Sequence, residues 1–149
     1  MKADLKKEVK RGWERGWRFT PLCGKKPYLD DWQNRKPGDL GISLGWASEG
    51  NVGLRTGMVS GIAVIDIDPG ATVGPPDFPL TVTAKTGRNG YHLYYRCKEP
   101  FGNRAGTLMN ENNVKLAHVD VRGDGGQVVF VGSVHPETGN QYRWSPGGS

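Results

Sequence analysis

The stretch Gly61-Ile-Ala-Val-Ile-Asp-Ile-Asp68, closed by Pro69-Gly70, limits what this chain can fold into more than any other. It is apolar, rich in β-branched residues and free of internal proline, which predicts a buried strand of about eight residues. Alternate side chains along a strand share a face, so Ile62, Val64, Asp66 and Asp68 project one way and Ala63, Ile65 and Ile67 the other. The Asp66 and Asp68 Cα atoms should then lie roughly 7 Å apart, near enough for both carboxylates to bend toward one hard cation or a pair of them. Like charges at the end of an apolar strand repel; they share a proton or gain from a bound Mg²⁺ or Mn²⁺. A strand ending in two solvated aspartates has the same pattern, so the chemistry needs support from elsewhere in the chain.

Such a strand needs partners, and the composition supplies short ones. A chain of 149 residues holds one compact domain with a real core and is too short for two. Its 23 glycines and 10 prolines imply many turns between short strands, and 36% hydrophobic residues argue against disorder. No apolar run exceeds strand length and the N-terminus is charged, so neither a membrane span nor a signal peptide is expected, and a cytoplasmic setting is. Cys23 and Cys97 lack a CxxC neighbour and read as reduced, structural thiols. The formal charge is +5, and Lys2, Lys6, Lys7, Lys10, Arg11, Arg15, Arg18, Lys25, Lys26, Arg35 and Lys36 all precede Pro37. A basic N-terminal third attached to an acidic pair suggests a polyanion partner, although a solvated basic helix has the same composition.

From Ala3 to about Arg15, Leu5, Val9 and Trp13 recur every four positions, the stripe of an amphipathic helix that Gly16 ends. Trp17 to Leu22 reads as a short strand, followed by the turn Gly24-Lys25-Lys26-Pro27, where Lys25 and Lys26 either hold phosphate or are simply exposed. Trp32 and Trp46 read as packing residues; Pro37 and Gly41 limit any helix between Asp31 and Gly50. Asn51 to Arg55 is a predicted strand forming a hairpin with Gly61–Asp68 through Thr56-Gly57. Pro69, Pro75, Pro76 and Pro79 argue against a long crossover helix.

Leu80 to Ala84 resumes β character. The loop Lys85-Thr86-Gly87-Arg88-Asn89-Gly90 can offer backbone N–H groups and cations to phosphates, or serve as a plain hairpin turn. It does not match a P-loop. In the following strand, Tyr91 to Arg96, His92 shares a face with Tyr94 and Arg96; a lone strand histidine is often structural, and its place beside the glycine loop is what singles it out. Phe101 to Ala117 reads as mostly loop. His118 to Arg122 is a predicted strand with His118, Asp120 and Arg122 on one face, paired through Gly123–Gly126 with Gln127 to Val131. Asp124 reads as a turn residue. Gly132 to Trp144 reads as a final hairpin and Pro-Gly-Gly-Ser as an unstructured end.

Asp66-Ile67-Asp68, Gly90-Tyr91-His92 and Val119-Asp120, in that order, resemble the three motifs of the archaeo-eukaryotic primase superfamily. Within it the chain is similar to the bifunctional primase-polymerase (prim-pol) domains of plasmids, phages and mobile elements. Flanking segments agree, among them Gly16-Trp-Arg-Phe-Thr-Pro-Leu22, Asp120-Val-Arg-Gly-Asp-Gly-Gly126 and Ser133-Val-His135 with Tyr142-Arg-Trp144, so the likeness covers nearly the whole chain.

This resemblance implies an α+β fold: an RNA-recognition-motif-like mixed or antiparallel sheet packed against a small N-terminal α/β unit. The two parts form one catalytic domain over 1–149, with the unit at about 1–57, the metal-binding sheet at about 58–145 and a tail at 146–149. It implies template-directed joining of a nucleoside triphosphate to a 3′-hydroxyl on single-stranded or primed DNA, with Asp66, Asp68 and Asp120 holding two Mg²⁺ or Mn²⁺ ions. His92 would donate a hydrogen bond to the triphosphate, with Gly90 beside it; Lys85, Arg88 and Arg122 would add positive charge. Ser133 and His135 would border the nucleotide or brace the hairpin. Relatives generally carry a helix after the Asp-x-Asp strand, replaced here by the proline-broken link. They also continue into a helical domain and often a helicase, so such accessory domains of a longer protein are expected partners. A metal-dependent phosphohydrolase or nuclease, and a non-catalytic nucleotide- or nucleic-acid-binding remnant, remain as alternatives.

Overall fold

The computed structural model describes residues 3–105, 108–109 and 111–146. Residues 106, 107 and 110 of the stretch read as loop, and 147–149 of the expected tail, lie outside the described residues. The predicted amphipathic helix is α1 (Leu5–Glu14), capped by Asp4, whose side chain accepts from the Lys7 N–H, and closed by Gly16 at φ 93°. Val9 is fully buried, and Leu5 and Trp13 pack against the same cluster. β1 (Phe19–Cys23) and β2 (Lys26–Pro27) make a hairpin. Past Pro37, α2 (Leu40–Glu49) forms a full ten-residue helix. It starts where Asp39 supplies an N-cap, its carboxylate accepting the Ile42 N–H at 2.8 Å.

β3 (Val52–Arg55), β4 (Ile62–Ile67), β5 (Thr83–Lys85), β6 (Tyr91–Arg96), β7 (Arg104–Ala105), β8 (Val119–Arg122), β9 (Gln127–Val129) and β10 (Arg143–Trp144) follow. They assemble two sheets, ordered β2-β1-β3-β9 and β10-β5-β6-β4-β8-β7, with every strand pairing antiparallel. The fold is therefore α+β. β4 lies in the interior of the larger sheet, and the link after it holds only a 3₁₀ turn (Pro75–Asp77). Among the described residues no helix is long and apolar enough to cross a membrane.

Two expected hairpins do not form. β3 pairs with β1 and β9 rather than β4, and β9 pairs with β3 rather than β8. At both places the chain crosses from one sheet to the other, and long-range hydrogen bonds pin the two crossings together. The Thr56 hydroxyl donates to the Gly123 carbonyl at 2.6 Å, and the Asp124 carboxylate accepts the Met58 N–H at 2.8 Å. Gly57 sits at φ 89°, and a Cβ there would lie 2.5 Å from the Asp124 Cα, so neither backbone nor space admits a larger residue. Asp124 is thus structural, as its turn context predicts.

Between the sheets lies an aromatic core. Phe19 and Phe130 rings stand 4.9 Å apart, Trp17 and Tyr94 5.5 Å, and Tyr94 and Trp144 5.2 Å. The buried Glu8 carboxylate accepts the Trp144 Nε1–H at 3.0 Å, tying α1 to the last strand. On the opposite face of the larger sheet, Ile67, Leu93 and Val119 bury against Val73, Phe78, Leu108 and Leu116 from the segments after β4 and before β8.

Candidate active site

The site grows out of the register of three neighbouring strands. Asp66 in β4 stands directly opposite His92 in β6 on one side and Asp120 in β8 on the other. Opposed residues of antiparallel strands share a face, so these three side chains leave the sheet together. Val64 pairs with Arg122, which brings Arg122 onto the same face, and Asp68 follows one pleat beyond Asp66. His118 does not extend the row: it lies outside β8 at φ 64°, and its carbonyl accepts the Asp68 N–H at 2.9 Å. The expected His118–Asp120–Arg122 face is therefore only Asp120 and Arg122.

Asp66 is the most engaged of the acids. Its Oδ1 lies 3.3 Å from His92 Nε2 and its Oδ2 3.7 Å from Arg122 Nη2, which also reaches Asp120 Oδ2 at 3.4 Å. Burial pushes the Asp66 carboxyl up, but the His92 ring and the Arg122 guanidinium outweigh it and hold the group below the usual carboxylate range. Asp68 moves the other way, raised by burial and then by the charges of Asp66 and Asp120. His92 is buried, and with Nε2 turned to Asp66 its Nδ1 has no hydrogen-bond partner among the described residues, an omission that costs about 1–3 kcal/mol in a protein interior.

Among the described residues no three His, Cys, Asp or Glu side chains close around a point fit for a metal ion. The three aspartates share a face, yet the closed ligand set expected from the sequence is not assembled: Arg122 reaches both Asp66 and Asp120, and His92 flanks Asp66 on its other side. The donor chemistry still suits a hard divalent ion: three carboxylates, with the pKa of Asp68 raised by burial and then by the charges of the other two.

These groups open into a cleft of about 430 Å³, whose walls include Lys25, Asp66, Asp68, Thr86, Arg88, His92, Arg122, Gln127, His135 and Tyr142. The Tyr142 ring stacks between two histidines, 6.1 Å from His92 and 6.2 Å from His135. His135 Nδ1 accepts the N–H groups of Glu137 and Thr138 at 3.1 and 3.2 Å, so the neutral ring carries its proton on Nε2. Burial, and then the charge of Lys25, lower the pKa of His135 and favour that neutral form. A Cβ on Gly87 would meet the His135 Cβ at 2.3 Å, which is why the loop before β6 can press so closely on this ring. Burial and the nearby Asp66 and Asp68 charges push the Tyr142 hydroxyl up to about 12.

Of the residues expected at the site, Asp66, Asp68, His92, Arg88, Arg122, His135 and Lys25 line the cleft. Asp120 lies beside it, bound to Arg122. Gly90 holds the loop where its N–H donates to Thr86 Oγ1 at 2.8 Å and its Cα sits against the Ile67 carbonyl. Lys85 does not join them: it is the last residue of β5 and pairs with Tyr91, so it is directed to the opposite face from Ala84 and His92. Lys26 is taken into β2 opposite Cys23. Ser133 is fully buried and bonds the Val52 N–H at 3.0 Å, a brace between the final hairpin and β3. Tyr142, Thr86 and Gln127 were not singled out from the sequence. Tyr142 is set in the final hairpin, where its N–H donates to the Ser133 carbonyl at 2.9 Å and its carbonyl accepts the Gly132 N–H at 2.8 Å, and the pairing of Trp144 with Ala84, some sixty residues away, ties that hairpin to the larger sheet.

Fold and site together define an antiparallel α+β domain with an acid-and-cation cleft suited to phosphate esters. The family profile described as bifunctional DNA primase/polymerase, N-terminal (Prim-Pol) matches residues 10–148, and the chain belongs to that family. Family membership makes primase/polymerase-type nucleotidyl transfer its chemistry at family level, with nucleotides and a DNA template as the reactants such a domain handles. Among curated proteins none matches the chain.

Proposed function

We propose that the chain is a minimal template-directed nucleotidyltransferase that joins a nucleoside triphosphate to a primer 3′-hydroxyl with release of pyrophosphate. The observation that carries this reading is the row His92–Asp66–Asp120 across three adjacent strands, of which His92 and Asp66 line a cleft that also presents Lys25, Arg88 and Arg122, with Asp120 beside it. Mg²⁺ or Mn²⁺ held by Asp66, Asp68 and Asp120 would neutralise the triphosphate and activate the 3′-hydroxyl. The chain's own residues do the positioning. Arg88 and Lys25 attract and orient the phosphates from the far wall, and His135 Nε2–H offers a neutral donor there. His92 favours the ionised form of Asp66, its Nε2 lying 3.3 Å from Oδ1. Tyr142, with its hydroxyl protonated at working pH, is a flat wall between the two histidines.

Extension of a labelled primer with Mn²⁺ and deoxynucleotides tests the reading. Synthesis should be lost in Asp66→Ala and Asp120→Ala, and robust synthesis by Asp66→Ala overturns the assignment. One observation favours a second reading, nucleotide binding without turnover: Arg122 and His92 already engage oxygens of Asp66 and Asp120 that metal ions would need. Calorimetric titration of Mn²⁺ and nucleotide that shows binding, with no product on prolonged incubation, would select it.

A further inference from the structure

Away from the cleft, two cavities of about 240 and 200 Å³ lie on either side of Trp32 and share it and Arg55 as wall residues. Arg55 is 6% exposed. Its Nη1 and Nη2 donate to the carbonyls of Arg35 and Gln33 at 2.9 and 3.0 Å, which fixes the loop carrying Trp32, Arg35 and Lys36. A guanidinium has five N–H donors, so this leaves most of them unused. Among the described residues no carboxylate lies within ion-pair distance of it. A buried guanidinium with donors to spare that opens onto cavities is suited to a visitor carrying hydrogen-bond acceptors, as the ring carbonyls of a base do.

The smaller cavity has the rest of a ligand's requirements. Trp32, Trp46 and Phe19 give it aromatic walls; Arg35, Lys36 and Arg55 are its charged residues, and no acid lines it. Thr20, 2% exposed, contributes a hydroxyl with no hydrogen-bond partner among the described residues. At about 200 Å³ it is below the roughly 300–1,000 Å³ of pockets that enclose whole drug-sized molecules, so it suits one ring system whose charged group stays at the mouth.

We infer that this cavity takes one unstacked base of single-stranded DNA, stacked on Trp32, with the adjoining phosphates held by Arg35 and Lys36. The inference rests on the template-directed reading above and adds a second point of contact for the strand, on the smaller sheet and α2. Holding one base out of stack favours a single strand over a duplex, whose paired bases cannot enter.

The test is fluorescence anisotropy of a labelled oligo-dT in EDTA, with no nucleotide present, so that it is independent of catalysis. Trp32→Ala should weaken binding by about 5- to 150-fold, the range for loss of one base–aromatic stack. Arg35→Ala/Lys36→Ala, at two exposed positions, of which Arg35 also donates from Nε to the Asp30 carbonyl at 2.8 Å, should weaken binding and flatten its log–log salt dependence by about 1.4, two phosphate contacts on a single strand. Duplex of the same length should show no dependence on Trp32. Unchanged oligo-dT affinity in the Arg35/Lys36 variant, or equal loss on duplex in Trp32→Ala, overturns the inference. Failure of primer extension by the wild type with these binding losses intact would instead count against the catalytic reading alone.

Discussion

Gly87→Ala is the substitution whose effect can be worked most directly from the geometry of the cleft. The new methyl would stand 2.3 Å from His135 Cβ and 2.9 Å from the Asn140 carbonyl oxygen. Ordinary contact begins near 3.5 Å, so the loop and the final hairpin must separate by roughly 1 Å or more. Forced overpacking of this size costs about 1–3 kcal/mol. For a chain of this length that is a fall in Tm of roughly 2–12 °C, measured by circular dichroism. Gly87 also accepts hydrogen bonds from Thr138 Oγ1 at 2.8 Å and Asn140 Nδ2 at 3.2 Å, so the hairpin cannot swing away without breaking them. A double-mutant cycle isolates the contact. His135→Gly removes the Cβ that the methyl strikes, so the pair should be less destabilised than the sum of the singles by about 1 kcal/mol, well outside the few tenths expected of independent sites. A Gly87→Ala protein within 0.5 kcal/mol of the wild type, or strict additivity in the cycle, refutes the close approach.

Two further outcomes follow from the same framework. The folded pKa of His135 lies below its unfolded value of about 6.5, so the unfolded chain binds more protons between the two; its contribution to stability is complete above about pH 6.5 and is lost as pH falls through the folded value. Urea unfolding of His135→Gln across that range should therefore show a weaker loss of stability on acidification than the wild type. Thr56→Val leaves the buried Gly123 carbonyl without its side-chain donor and should cost about 1–3 kcal/mol in the same assay, with a value near zero showing that the two crossings are not pinned there.

How far the chain could be read in advance depended on how local each signal was. α1 was legible because Leu5, Val9 and Trp13 carry its burial on one stripe. α2 was not, since its apolar residues do not fall on one side: Ile42 is half exposed while Ser43 is buried. β4 and the common face of Asp66 and Asp68 followed from composition and alternation alone. The failures were of partnership. A glycine-rich turn between two strands serves a hairpin or a crossing between sheets equally well. What decides at Thr56-Gly57 and at Gly123–Gly126 is bonding between these two segments, more than sixty residues apart. The site divided in the same way. His92 and Asp120 came from motif order, whereas Lys85 missed the cleft by one position, since β5 runs one residue further than the loop reading allowed. Arg122 was expected as a helper, but its place between two carboxylates depends on side-chain reach that spacing does not encode.

The return of β9 to the edge of β3 has a consequence for how the chain is made. During synthesis β1, β2 and β3 emerge early, yet the free side of β3 has no neighbour until residues 127–129 have left the ribosome. For most of translation that open edge is a template for any other extended strand nearby, so aggregation of nascent chains should compete with folding at this edge.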